Sequence, residues 1–244
     1  MLAHRNSESR RMRPAYGSIL VLCWSLLTLP ALADGEVVLS LDFVNEEDLS
    51  AYEWLYSRDF ELERAADDRD KIEFFRDEGG LNIRTREPAF GLAVRKLLVP
   101  AARRMRLHWG VADYPQGASY QHGIDNEAVM VMVFFGEQRL PSGEVFIPDS
   151  PYFIGFYLCP PAGDDVDQPY KGHHYEKTGR YICVQHAQPG EAVVSEVDLQ
   201  AVFLNSFGLP RMPVVSGISI EIDTTDAGND GHAAAFIRRL DFMD

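Results

Sequence analysis

The chain is short of positive charge, of cysteine and of long apolar runs, and each shortage removes a class of protein. Against 37 Asp and Glu stand 23 Lys and Arg, giving a formal net charge of −14. A surface of that sign repels a phosphate backbone, which binds proteins by exchanging counterions for clustered cations, so no nucleic acid partner is expected. Beyond the amino terminus no stretch approaches the roughly 20 apolar residues that a membrane-spanning helix needs. Gly-rich phosphate loops, a Gly-x-Ser-x-Gly elbow and a Cys-His catalytic pair are also missing from the sequence. Beyond His4, histidines occur at 108, 122, 173, 174, 186 and 232, but none has the His-x-x-x-His spacing that places two zinc ligands on one helix face.

What is there begins with an export pattern. Arg5, Arg10, Arg11 and Arg13 precede an apolar run from Ile19 to Leu29 and then Ala31-Leu32-Ala33. Residues 1–33 therefore read as a secretory signal peptide, and 34–244 as a single domain exported to the periplasm or secreted, with no stable transmembrane segment after cleavage. Removing that segment takes away four Arg and one Glu, leaving 19 basic and 36 acidic residues, a net of about −17. Of the three cysteines, Cys23 lies in the apolar run, while Cys159 and Cys183 flank one polar excursion. In an oxidising compartment that pair predicts a disulfide, with two buried thiols as the other reading.

Short alternating segments dominate the rest. Val37, Leu39, Leu41 and Phe43 share one face, and Met105, Leu107, Trp109 and Val111 share another against Arg104, Arg106 and His108. Ala128 to Phe135 is apolar on both sides, as in a central strand. Strands are also expected at Phe60–Leu62, Ile72–Phe75, Leu81–Thr85, Tyr152–Cys159, Gly179–Val184, Ala192–Val197, Gly217–Asp223 and Ala234–Phe242. A short helix or turn is expected at Asn45–Leu55, with Asn45 as its cap, and a helix at Asp198–Phe207, stopped by Gly208 and Pro210. This pattern predicts an all-β, jelly-roll sandwich of two antiparallel sheets with one or two short helices.

Three landmarks in order resemble a family of exported bacterial proteins carrying a β-sandwich domain of unknown function. They are Arg106-Leu107-His108-Trp109-Gly110-Val111, the turn Asp125-Asn126-Glu127 feeding Val129 to Phe135, and Gly217 to Asp226 before a terminal strand. The chain departs from that family's pattern at His108, where a second aromatic or Arg is common. The resemblance implies the fold and carries no activity. Leu41-Asp42-Phe43 and Gly79-Gly80-Leu81 also look like the opening strands of lectin-like, carbohydrate-binding jelly rolls, an analogy of fold alone.

Chemistry concentrates where Ile218, Ile220 and Ile222 alternate with Ser219, Glu221 and Asp223 and run into Thr224-Thr225-Asp226-Ala227-Gly228-Asn229-Asp230-Gly231. Three readings stay open there. Asp223, Asp226, Asn229 and Asp230 would supply the oxygens of a structural calcium site, although Ile237 stands where an EF-hand needs its twelfth-position acid. Glu221-Ile222-Asp223-Thr224-Thr225-Asp226 resembles the E-I-D-x-x-E signature of jelly-roll glycoside hydrolases, with a shorter Asp at its last position. Otherwise Asp, Asn and Gly are simply what a turn demands. A fainter resemblance links Arg84 and Arg86, Gln121-His122 and Tyr175-Glu176-Lys177-Thr178-Gly179-Arg180-Tyr181 to jelly-roll alginate lyases, implying Arg84, His122 and Tyr181 as catalytic groups beside a uronate. Finally, Trp109, Tyr114, Tyr120, His122, Tyr170, His173, His174 and Tyr175 are candidate carbohydrate-binding residues, because flat rings stack on sugars and polar tips orient them. The expected function is non-catalytic binding of a carbohydrate or envelope ligand, with possible calcium stabilisation; the alternatives are a polysaccharide-degrading enzyme and an envelope interaction module.

Overall fold

Alternation in the sequence becomes two packed sheets in a computed structural model of the chain, which describes residues 35–44, 49–142, 144–226 and 230–244. The expected signal peptide, Asn45 and Asn229 lie outside the described residues. One sheet contains β1 (Val37–Asp42), β3 (Ile72–Asp77), β4 (Gly80–Arg86), β6 (Arg104–Asp113), β11 (Val193–Asp198) and β13 (His232–Met243), in the order β11-β6-β13-β4-β3. The long β13 pairs along one edge with β6. Along its other edge it pairs with β4 through its first half and β1 through its second.

The second sheet contains β2 (Glu61–Arg64), β5 (Phe90–Val99), β7 (Glu127–Leu140), β8 (Ser150–Cys159), β9 (Pro169–Lys171), β10 (Gly179–His186) and β12 (Val215–Asp223), in the order β2-β5-β12-β7-β8-β10-β9. The fold is thus an all-β sandwich, as the period-two patterning predicts. One pair departs from the antiparallel expectation: β10 runs parallel to β8, because the excursion after Cys159 carries the chain back before it pairs. Cys159 and Cys183 close that excursion as a disulfide with Cα atoms 5.8 Å apart. Closing a loop of this length contributes roughly 3 kcal/mol by the chain-entropy model.

Between the sheets lies one apolar core containing Trp54, Leu107, Trp109, Val131, Val133, Ile154, Phe156, Ile218, Ile220, Ile237 and Phe242. The first helix, α1 (Ala51–Ser57), starts later than the sequence suggests. Ser50 caps it, accepting from the Glu53 N–H at 3.3 Å while Glu53 Oε2 accepts from the Ser50 N–H at 3.0 Å. That reciprocal pair satisfies two otherwise orphaned donors and sets the boundary. Helix α2 (Leu199–Phe207) is capped by Asp198 and stopped by Gly208 at φ 65°, a left-handed turn that glycine adopts without steric cost.

Candidate functional site

Strand β12 turns its isoleucines to the core and presents Ser219, Glu221 and Asp223 on the outer face of the seven-stranded sheet. The neighbouring β7 would send Glu127 inward, since it shares the parity of Val129, Val131 and Val133. A β-bulge prevents this. Glu221 pairs with Met130 and Asp223 with Glu127, so Ala128 and Val129 together oppose Ile222. The extra residue reverses the alternation, buries Ala128 and Val129 in the core, and re-aims Glu127 to the outer face beside Glu221.

That face carries its own buried cluster of Tyr120, Met130, Met132, Phe153, Tyr157, Cys159 and Cys183. Asp164, inside the disulfide loop, anchors Tyr120 there. Its carboxylate accepts from Ser119 Oγ at 2.6 Å, the Tyr120 N–H at 2.9 Å and the Tyr157 hydroxyl at 2.6 Å. The Tyr120 ring packs 4.8 Å from both Tyr157 and Tyr181, and its hydroxyl donates to Glu127 Oε2. Gly155 leaves the room this packing uses, because a Cβ there would strike Met130 and Tyr181. A clasp ties the neighbouring loops: the Asp125 N–H donates to Asp226 Oδ2 at 2.6 Å, and the Asp226 N–H donates to Asn126 Oδ1 at 3.0 Å.

Above this floor opens a cleft of about 1280 Å³, lined among others by Arg64, Tyr120, Asp125, Arg139, His173, His174, Tyr175, Tyr181, Ser219, Glu221, Asp223 and Asp226. Its electrostatics are unusual. Glu127 and Glu221 are 3% and 6% exposed, and among the described residues no Lys or Arg forms an ion pair with either or with Asp223. Burial, then the neighbouring Asp223, pushes Glu221 up to about 8. Burial and the charges of Glu221 and Asp223 push Glu127 well above the usual carboxylate range. Asp223 is raised to about 6 by burial, opposed by hydrogen bonds from the Thr225 N–H at 2.8 Å and Thr225 Oγ1 at 2.6 Å. Glu127 Oε1 is buried without a donor. The two glutamates interact directly, and two ionised carboxylates offer each other only acceptors, so the contact is satisfied when one holds a proton. Within the cleft the arrangement sets Glu221, a neutral acid, beside Asp223, which stays nearer the ordinary carboxylate range, as general acid–base chemistry requires.

The structure brings together Glu221, Asp223, Asp226, Tyr120, His173, His174, Tyr175 and Tyr181 from the sequence candidates. Others fall elsewhere. Arg84 belongs to the opposite sheet, where it bonds Glu73 at 2.7 Å. Trp109 is a core residue whose Nε1–H donates to Ser195 Oγ at 3.0 Å, since its strand parity turns it inward. The Tyr114 hydroxyl is spent on the Ala187 and Cys159 carbonyls at 3.0 and 3.2 Å, and the Tyr170 hydroxyl accepts from the Asp165 N–H at 3.3 Å. His122 is exposed on a 3-10 turn with Nδ1 2.9 Å from Ser119 Oγ, and does not line the cleft. Of the calcium candidates, Asp223 and Asp226 bond backbone N–H groups as described, and Asp230 Oδ1 accepts from the His232 N–H at 3.0 Å. Among the described residues, the one triad of potential metal ligands is Cys159, Cys183 and His186, and its sulfurs are joined to each other.

Sequence reasoning missed Glu127, Arg64 and Arg139. A lone acid opening an otherwise apolar strand was the signal for Glu127, and its direction depended on a bulge set by the partner strand. No protein-family model and no curated protein matches the chain.

Proposed function

We propose that the protein is an exported enzyme that cleaves glycosidic bonds in a carbohydrate polymer by carboxyl acid–base catalysis. The observation that carries this reading is the buried pair Glu127 and Glu221, without an ion pair among the described residues, with Glu221 and Asp223 lining an aromatic-walled cleft. Buried carboxyls without cationic partners cost stability, and a site that uses their perturbed protonation gives a reason for them.

In this reading Glu221 is the general acid, protonated at neutral pH, and gives its proton to the leaving oxygen. Asp223, raised only to about 6, is ionised at neutral pH. It takes a proton from the water whose oxygen bonds the anomeric carbon as the glycosidic bond breaks. Two residues along one strand set their Cα atoms roughly 6.6 Å apart, and carboxyl pairs that flank a glycosidic bond stand roughly 5 to 9.5 Å apart. Glu127 is a positioning residue, held by Tyr120 behind Glu221. The tyrosines and His173 supply faces and polar tips for sugar rings. Export and the resemblance to the exported sandwich family of unknown function belong to the same proposal.

The test is incubation of purified protein with a panel of neutral, amino and acidic polysaccharides, assaying new reducing ends and the ultraviolet absorbance of unsaturated products. New reducing ends without unsaturation, abolished by Glu221→Gln, are the expected result. Unsaturated products would replace hydrolysis by elimination. Binding without any shortened chain would return the site to a non-catalytic carbohydrate-binding role.

A further inference from the structure

In an acidic protein three arginines without an ion pair among the described residues line the cleft; Arg95 lies over the Phe60 ring at 5.9 Å, which leaves Arg64 and Arg139. Arg64 ends β2 and Arg139 lies near the end of β7, yet both line the same cleft. Among the described residues neither forms an ion pair; Arg139 Nη1–H donates to the Asp149 carbonyl at 3.1 Å. This contrasts with Arg84, Arg86, Arg106 and Arg239 on the other sheet, each paired with an acid.

Arg64 is also held in a conformation that non-glycine residues rarely adopt, with φ 62° and ψ −126°. Its Cα partner on β5 is Gly91, and a tight turn follows at once. A glycine at 64 would meet that geometry without strain, so the arginine side chain is kept against a backbone cost, as happens where a side chain serves a site. Both arginines lie close enough to the Tyr175 hydroxyl to oppose the effect of its burial, and Glu221 acts on the same hydroxyl. The two cations, Tyr175 and Glu221 line one cleft.

We propose that Arg64 and Arg139 clamp an anionic substituent of the glycan, a uronate carboxylate, in the cleft beside Tyr175. This rests on the carbohydrate reading of the site and names its substrate class. Guanidinium groups suit the carboxylate because their forked N–H donors match its two oxygens.

The test is affinity electrophoresis through polygalacturonate, alginate, sulfated dextran and neutral glucan, with wild type, Arg64→Gly, Arg64→Lys and Arg139→Gln. Wild type should be retarded most by the two uronates. Arg64→Gly and Arg139→Gln should each weaken that binding by about tenfold or more, the usual effect of losing one hydrogen bond to a charged group. Arg64→Lys should retain part of it, and neutral glucan should not distinguish the variants. Arg64→Gly should melt at or above the wild-type temperature, which separates lost recognition from lost folding. Equal retardation by neutral glucan and uronates, or variants that bind like wild type, would overturn the clamp. Sulfated dextran binding as tightly as polygalacturonate would overturn the carboxylate assignment. Uronates bound through both arginines yet left uncleaved would sustain the clamp and sink the hydrolase; a cleaved neutral glucan with no uronate bound would do the reverse.

Discussion

The outer faces of the two sheets treat charge in opposite ways. On the six-stranded sheet, acids face arginines across or along strands: Glu73 meets Arg84 and Arg86, Glu196 meets Arg106, and Asp241 meets Arg239. Even Asp241, only 3% exposed, has its guanidinium at 2.8 Å. On the seven-stranded sheet, Glu127, Glu221 and Asp223 are gathered without an ion pair among the described residues, while Arg64, Arg95 and Arg139 stand without one in the cleft that Glu221 and Asp223 line. The first face satisfies charge within the fold. The second leaves charge of both signs uncompensated, and uncompensated groups in a cleft are what a ligand or a reaction completes.

The largest effect that would break this comparison is on turnover. Glu221→Gln keeps the shape of the side chain and removes its transferable proton, so cleavage of the best polymer from the panel should fall by about 10² to 10⁴, the usual contribution of a general acid. Glu73→Gln on the other sheet should leave turnover unchanged. Equal losses from both substitutions would mean that the contrast between the faces says nothing about catalysis.

Next in size is the dependence of stability on pH. Glu221 has its folded value raised to about 8 from an ordinary 4.5. Its contribution is therefore fully present below about pH 4.5 and is lost as pH rises through about 8, because the unfolded chain ionises it freely while the fold resists. Glu127 and Asp223 are raised too and act in the same direction. Thermal melting should fall by several degrees between pH 5 and pH 8, on the order of a few kcal/mol. The slope should flatten in Glu221→Gln; a wild-type curve already flat over that range would show that the cluster is ionised at no cost.

Much of this contrast was legible in the sequence, for reasons that differ by element. The strict alternation of Ile218, Ile220 and Ile222 gave the face of Glu221 and Asp223, because period two is a property of one strand. Glu127 was not legible, since its direction depends on the bulge opposite Ile222, a feature of two strands in register. Trp109 read as a binding aromatic, but its inward parity and the Ser195 hydroxyl make it core. Strand β5 went unseen because Arg95-Lys96 and Leu97-Leu98-Val99 interrupt any alternation. Arg64 and Arg139, far apart in sequence and in no motif, meet only when the sheet assembles.

The smallest effect is the one that sharpens the comparison most. Glu73 is bonded by Arg84 and approached by Arg86, with its side chain 38% exposed, so both pairs are screened by water. Glu73→Gln should lower stability by no more than about 1 kcal/mol, the usual worth of exposed ion pairs, or roughly 2 to 4 °C in a domain of this size. The same chemical change at Glu221, made at pH 8, should raise the melting temperature, because an amide need not be ionised and the buried carboxyl must. One substitution, made on two faces of one sandwich, should therefore carry opposite signs. If both variants are destabilised at pH 8, Glu221 has a compensating partner in the folded protein and the two faces are alike.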